Sequence, residues 1–280
     1  MQKESEIKNL VIISDTHVGC QLGLCHPDGA RLDDGGLYMP NKIQLAIWGH
    51  WTEFWAWVKQ ATRGEPFAVA HGGDSIDGSH HNSTTQWSHG MEDQVEHAYQ
   101  ILAPIVDRCS GRYYHIRGTE AHVGPSGVYE EALAKRLGAI PDENGKYARN
   151  ELWIRIGKAL AHIMHHIGTT SSAAYESSAV NKELTAEYVE AARWGEEIPD
   201  FVIRSHRHRF IAVDINSYKG YATGLVTPGW QGKTPFVFRI AGGRIAPPQF
   251  GGVLIRQGDE EFHFRRFVRT PARANVEVPK

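Results

Sequence analysis

The first regular feature of the chain is an unbroken apolar run of strand length, residues 10–13, that leads through Ser14 directly into Asp15. Residues 20–41 are rich in Gly, Pro and Asp and read as an insertion. Over residues 42–61, Ile43, Leu45, Ile47, Trp48, Trp51, Phe54, Trp55 and Val58 spread across a wide apolar face, which predicts a helix packed on a sheet. Residues 66–70 predict a second strand running into His71-Gly-Gly-Asp74. A second helix is expected over 92–108, and a third strand over 112–117, ending at Gly118-Thr-Glu-Ala-His122. Strands separated by helices in this way pair in parallel.

Beyond Asn150 the pattern tightens into closely spaced strands over 151–156, 159–167, 201–204, 221–226, 236–240, 253–256 and 261–268, interrupted by one helix over 182–193. No internal repeat is apparent. This order predicts an α/β (α+β) fold, a two-sheet sandwich flanked by helices in four layers, αββα. One domain is expected over 1–269, with a loose polar tail over 270–280.

Hydrophobic residues make up 41% of the chain and charged residues 22%, enough apolar surface for a sizeable core and too much for disorder. A formal net charge of −2 gives no global attraction to nucleic acid or to anionic membrane, so charge does not choose the partner. Cys20, Cys25 and Cys109 leave an odd thiol and lack paired metal-ligand spacing, which favours a reducing, cytoplasmic compartment. The first ten residues carry no apolar signal core, and no run is long enough to span a bilayer, so neither a secreted nor a membrane protein is expected.

Sixteen histidines stand out, and they cluster near strand ends. Asp15 and His17 lie two apart where the first strand ends, at the carboxyl edge where open α/β sheets bind ligands. Alone, such a pair is more often incidental than functional. The second strand ends in Gly73-Asp74-Ser-Ile-Asp77-Gly78, where Asp77 reads as a capping residue or a support rather than a direct ligand. Later strands reach His162-Ile-Met-His165-His166 and Ser205-His206-Arg207-His208. In isolation the last group reads as a charged surface loop. Carboxylate plus imidazole is a donor set that suits Mn, Fe, Zn or similar ions.

Taken in order, Asp15-x-His17, Gly73-Asp74-x-x-Asp77, Gly118 to His122, His165 and Ser205-His206-x-His208 resemble the signature of the calcineurin-like metallophosphoesterases over residues 15–208, with a loose likeness to phage- and prophage-type members. The resemblance implies two divalent metal ions: Asp15, His17 and His208 on one, His165 and His206 on the other, and Asp74 bridging both. It also implies hydrolysis of a phosphate ester by a metal-bridging hydroxide, with a protonated imidazole serving the leaving group. Two departures stand in the third motif, where Thr119 replaces the usual Asn and Glu120 the usual catalytic His. His122 is then the expected proton donor; a neutral Thr hydroxyl is a poor replacement for an amide oxygen, so Glu120 is the candidate to reach the second metal, with Thr119 a further candidate as ligand or support. At the fourth motif only one of His165 and His166 is expected to be a ligand, since neighbours on a strand face opposite ways, and His165 is favoured. His162 reads as a satisfied strand histidine.

His80, His81 and Arg207 are candidate substrate contacts, against the alternative of solvated loop residues. Arg204, Arg207 and Arg209, with Arg112 and Arg117, could favour a polyanion such as DNA. Trp230 is expected to pack on core in preference to walling the cleft. A phosphodiesterase or nuclease is thus the favoured expectation. The alternatives are a phosphomonoesterase, a protein phosphatase, or a non-catalytic scaffold that keeps the fold. Oligomeric state is left open.

Overall fold

The computed structural model of the protein describes residues 7–80, 82–169, 172–217, 220–240, 243–258, 262–272, 276–277 and 279. Strand β1 (Asn9–Ile13) is buried along its whole length because the two faces of its pleat serve two cores. Val11 and Ile13 face the helices, Leu10 and Ile12 the second sheet. Each such aliphatic side chain contributes roughly 1.5–3 kcal/mol when taken from water. The expected insertion contains a small ribbon, β2 (Ala30–Arg31) with β3 (Leu37–Tyr38), and then α1 (Lys42–Ala61) begins. Its N-terminus is closed by a capping box: Asn41 Oδ1 accepts from Ile43 N and Gln44 N, and Gln44 Oε1 accepts from Asn41 N at 3.0 Å.

The chain continues through β4 (Ala68–His71), α2 (Met91–Arg108), β5 (Tyr113–Ile116), the short α3 (Glu120–Val123), α4 (Val128–Arg136) and β6 (Ala148–Arg149). The second half comprises β7 (Glu151–Ile156), β8 (Ala159–Met164), α5 (Glu176–Trp194), β9 (Phe201–Arg204), β10 (Ile211–Ser217) and β11 (Gly220–Val226). It ends with β12 (Phe250–Gln257) and β13 (Phe262–Arg269). One six-stranded sheet has the order β13-β12-β1-β4-β5-β6, and a five-stranded sheet has the order β10-β11-β9-β8-β7. Within them β1, β4, β5 and β6 run parallel, as do β8, β9 and β11.

The sheets pack through Leu10, Ile12, Ile116, Ile163, Phe201 and Ile203; α1, α2 and α4 cover the first sheet and α5 the second. This is the four-layer sandwich that the order of elements predicts. Among the described residues no helix is long and apolar enough to cross a membrane, and the three cysteines are buried free thiols.

Two expectations are corrected, and one strand was missed. Residues 236–240 form turns rather than a strand: Pro235 precedes them, Gly242-Gly243 follow, and Phe236, Phe238 and Ile240 are substantially exposed. Strand β8 stops at Met164, so His165 and His166 lie in the loop beyond it and not on opposite faces of a longer strand. Strand β10, at the edge of the five-stranded sheet, goes unanticipated although Ile211, Val213 and Ile215 alternate with Ala212, Asp214 and Asn216.

Candidate metal centre

The parallel strands β1, β4 and β5 end at one rim of the sandwich, and the loops after β8 and β9 reach the same rim. The loops after β1 and β4 run side by side, with Asp15 N donating to Gly73 O, His17 N to Asp74 O and Val18 N to Ser75 O at 2.9–3.1 Å. Asp15 and His17 therefore share the site through loop conformation rather than through strand alternation. Among the described residues, nine other than glycine adopt positive φ, and five of them are Asp15 (55°), His17 (41°), Asp74 (52°), His206 (72°) and His208 (50°). Each such residue costs of the order of 1–3 kcal/mol and persists only where its surroundings enforce it, typically at functional sites. Glycine allows the tight approach: a Cβ on Gly118 would lie 2.2 Å from Asp74 Oδ1, and one on Gly229 2.9 Å from Asp15 Cβ.

Two clusters result. In one, His208 Nε2 lies 3.3 Å and His17 Nε2 4.0 Å from Asp15 Oδ1, and the two imidazole nitrogens are 3.1 Å apart. In the other, His165 Nε2 lies 3.0 Å and His206 Nδ1 3.8 Å from Asp74 Oδ2, with 3.2 Å between the nitrogens. Single donor atoms of His17, Asp74 and His122 also lie within 4.8 Å of one another, which places Asp74 between the clusters. Lone pairs aimed at a common point suit a divalent cation. Asp15 Oδ1 sharpens the fit: it is buried and, among the described residues, has no hydrogen-bond partner.

Charge tells the same story. Burial works to raise the carboxyl pKa values of Asp15 and Asp74, yet His208 beside the first and His165 beside the second hold both well below the usual range. Conversely, burial works to lower His165, but the Asp74 carboxylate lifts it to about 10, and Asp15 likewise raises His208. The two carboxylates thus draw positive charge into a buried place, which cations can supply in exchange for protons.

A layer of supports fixes the imidazoles. Asp77 Oδ1 accepts from His17 Nδ1 at 3.1 Å and from Gln231 Nε2 at 2.9 Å, while its Oδ2 accepts from Gln86 Nε2 at 2.6 Å, leaving His17 Nε2 for the site. His165 Nδ1 donates to Gly72 O at 2.7 Å, leaving its Nε2 inward. Beneath them lies the fully buried Glu130, which sequence reasoning missed because an acid in the first turn of α4 looks like ordinary helix-dipole chemistry. Its Oε1 accepts from Ser75 N and Ser75 Oγ, both at 2.8 Å, and its Oε2 from Gly118 N at 2.6 Å. One carboxylate thereby ties the loop of Asp74 to the loop of Thr119. His115 Nε2 lies 3.3 Å from Oε1, and its ring stacks on His71.

In the third motif it is Thr119 that lies against the clusters. Its N donates to Asp74 Oδ1 at 2.7 Å, and its Oγ1 lies 3.2–3.4 Å from Asp74 Oδ2, His165 Nε2, His166 Nε2 and His206 Nδ1. Glu120 is not brought to the cluster: it turns outward as α3 begins, and its Oε1 accepts from Ser126 N at 3.1 Å. His122 borders the site, with Nδ1 donating to Asp77 O at 2.6 Å and its ring edge-on to His17 at 4.6 Å. Burial lowers its pKa to about 4, against the opposing pull of Asp74.

His80 sits 3.6 Å from Asp77 Oδ2 with its ring against His122; His81 lies outside the described residues. His166 is exposed at the rim. His162 is held between Glu187 (2.6 Å) and Glu151 (3.0 Å), away from both clusters. Arg204 is buried against Glu183 and Glu187, Arg209 pairs with Glu176, Arg207 donates to Gly168 O, and Arg112 and Arg117 bond the carbonyls of Phe67 and Ala148. The arginine motif therefore fastens α5 and neighbouring backbone, and it no longer argues for a polyanion. Trp230 is fully buried against Trp51 and Phe54, while its N donates to Asp15 O at 2.8 Å.

No family model and no curated protein matches the chain. Similar solved structures include vacuolar protein sorting 29 from Cryptosporidium parvum, with 10% identity, 95% of this chain and 100% of that one aligned, and a TM-score of 0.37. A Thermotoga maritima protein gives the same identity, coverage and score. The sulfate thiohydrolase SoxB of Thermus thermophilus, solved with glycerol, gives 11% identity over 96% of this chain and 57% of that chain, with a TM-score of 0.38.

Proposed function

We propose that this protein is a metal-dependent phosphoesterase. Asp15, His17 and His208 would hold one divalent cation and Asp74, His165 and His206 a second, with the Asp74 carboxylate near both. The observation that carries this is the meeting of two carboxylate-imidazole clusters at one strand-end rim, joined by a single buried carboxylate. Bound cations would supply Lewis acidity, neutralising phosphoryl charge and making water acidic enough to provide a nucleophile near neutral pH.

The chain's own residues do the rest. Asp77 and the Gly72 carbonyl fix the tautomers of His17 and His165, and Thr119 N fixes the Asp74 carboxylate. Thr119 Oγ1 offers a hydroxyl to a phosphoryl oxygen at the open side. His122 has its Nδ1–H committed to the Asp77 carbonyl and is neutral near pH 7, so its Nε2 is a free acceptor that can take the proton the attacking water loses and hand it to the leaving oxygen. Thr119, His122, His166 and His206 are hydroxyl and imidazole groups rather than guanidinium forks, which suits a monoanionic diester better than a dianionic monoester.

Metal analysis and hydrolysis of bis-p-nitrophenyl phosphate against p-nitrophenyl phosphate, after reconstitution with Mn, Fe or Zn, test the proposal. Two ions per chain, preference for the diester and loss of turnover with chelator are expected. Preference for the monoester would make the protein a phosphomonoesterase or phosphatase, and bound ions without turnover would make it a scaffold.

A further inference from the structure

A cavity of about 410 Å³ opens beside His122, within the size range of small-ligand sites. His80 and His122 line its side toward the metal centre, Met91, Ala121 and Tyr129 give it apolar wall, and Glu120 is its carboxylate. Thr119 and Glu120 are adjacent in sequence yet face different compartments. The turn that starts α3 holds the Thr119 hydroxyl among His165, His166 and His206 and sends the Glu120 side chain the other way. The Glu120 carboxylate is kept at the cavity by accepting from Ser126 N, while Gly124, at φ 80°, leaves room for the Tyr129 ring. His122 thus stands between the phosphoryl position and this cavity, edge-on to His17 on one side and to His80 on the other.

We propose that the cavity receives the alcohol that leaves, and that Glu120 selects its charge. The substrate then releases a compact organic alcohol, neutral or cationic, that packs on Met91 and Tyr129, and an anionic leaving group such as a continuing nucleic-acid strand is disfavoured. This rests on the phosphoesterase reading. In the step itself water and a diester give a monoester and an alcohol. The phosphorus bond to the leaving oxygen breaks, a bond to the water oxygen forms, and the proton lost by water passes through His122 Nε2 to the leaving oxygen, so the imidazole ends in its starting state. A fixed carboxylate beside the departing group favours a cation there and repels an anion.

The test uses the metal-reconstituted protein and three methyl phosphate diesters, of 4-nitrophenol, of 4-(trimethylammonio)phenol and of 4-carboxyphenol. Because intrinsic reactivities cancel between proteins, the informative quantity is the cation-to-anion ratio of kcat/KM in a variant relative to the original chain. Glu120→Gln, which keeps an acceptor for Ser126 N, is expected to lower that ratio about tenfold with metal content unchanged, and Glu120→Lys to lower it further. An unchanged ratio in both variants, with turnover intact, overturns the inference alone. Absence of turnover on all three diesters by the original chain with any ion removes the phosphoesterase reading, and this inference with it.

Discussion

Asp15 and His17 are almost wholly enclosed and His208 shows only 18% of its side chain, whereas His206, across Asp74, shows 41%. The walled half is also the better supported. His17 is backed by a carboxylate that two glutamine amides hold in place, while the open half is completed by the neutral hydroxyl of Thr119. Enclosure and charged backing strengthen a metal site, and exposure leaves coordination positions for water and substrate. Two ions would therefore bind unequally, tightly in the walled half and weakly in the half that His206 leaves exposed.

The largest effect is expected from Asp74→Asn, because that carboxylate serves both halves: metal content should fall in each, and diester turnover by at least roughly a thousandfold. Full activity in this variant would break the account. Next, His208→Ala and His206→Ala should separate the halves. In a metal titration the first should abolish the tight phase, and the second should spare it and remove the weak one; identical losses from both would dissolve the distinction. Smaller again is Asp77→Asn, which leaves His17 without its charged partner and should weaken the tight ion by about 10- to 100-fold, read as a shift of the first titration phase alone. Glu130→Gln should act on both halves together, through their shared frame. Loss of a charged acceptor for Ser75 and Gly118 should cost about 1–3 kcal/mol in urea unfolding.

The smallest effect lies outside both halves. His97 is buried, its Nε2 accepts from His26 N at 3.1 Å, and burial lowers its pKa to about 4. An unfolded histidine titrates near 6.5, so between about pH 6.5 and 4 the unfolded chain binds the extra proton. The stability linked to this group is therefore whole above pH 6.5 and is lost as pH falls toward 4. Urea midpoints at pH 7 and pH 5 should differ less in His97→Gln than in the original chain, and an equal difference would remove His97 from the acid lability.

Both halves were partly legible in sequence. Asp15, Asp74, His206 and His208 each follow a short apolar run, so a strand end could be inferred and the side chain set at its carboxyl edge. What the runs could not show was how those side chains meet, since that depends on left-handed backbone at five positions and on close approach at Gly118 and Gly229. Around 118–122 the sequence put Glu120 ahead of Thr119, whereas it is Thr119 that lies against the clusters, its N bonding to Asp74, a contact 45 residues apart. Glu130 was invisible for the same reason, as its partners Ser75 and Gly118 come from other loops. The arginines misled because their glutamate partners lie on α5, the nearest of them 17 residues before Arg204 in the chain. The apolar 236–240 segment misled because alternation alone does not provide a neighbouring strand.

The most direct test of the account is an equilibrium titration of the metal-free protein with Mn²⁺, followed by calorimetry and by metal content after dialysis. The account predicts two ions per chain in two resolved phases, the weaker one lost in His206→Ala and both lost in Asp74→Asn. A single ion in the original chain, or two ions that persist in Asp74→Asn, would contradict it.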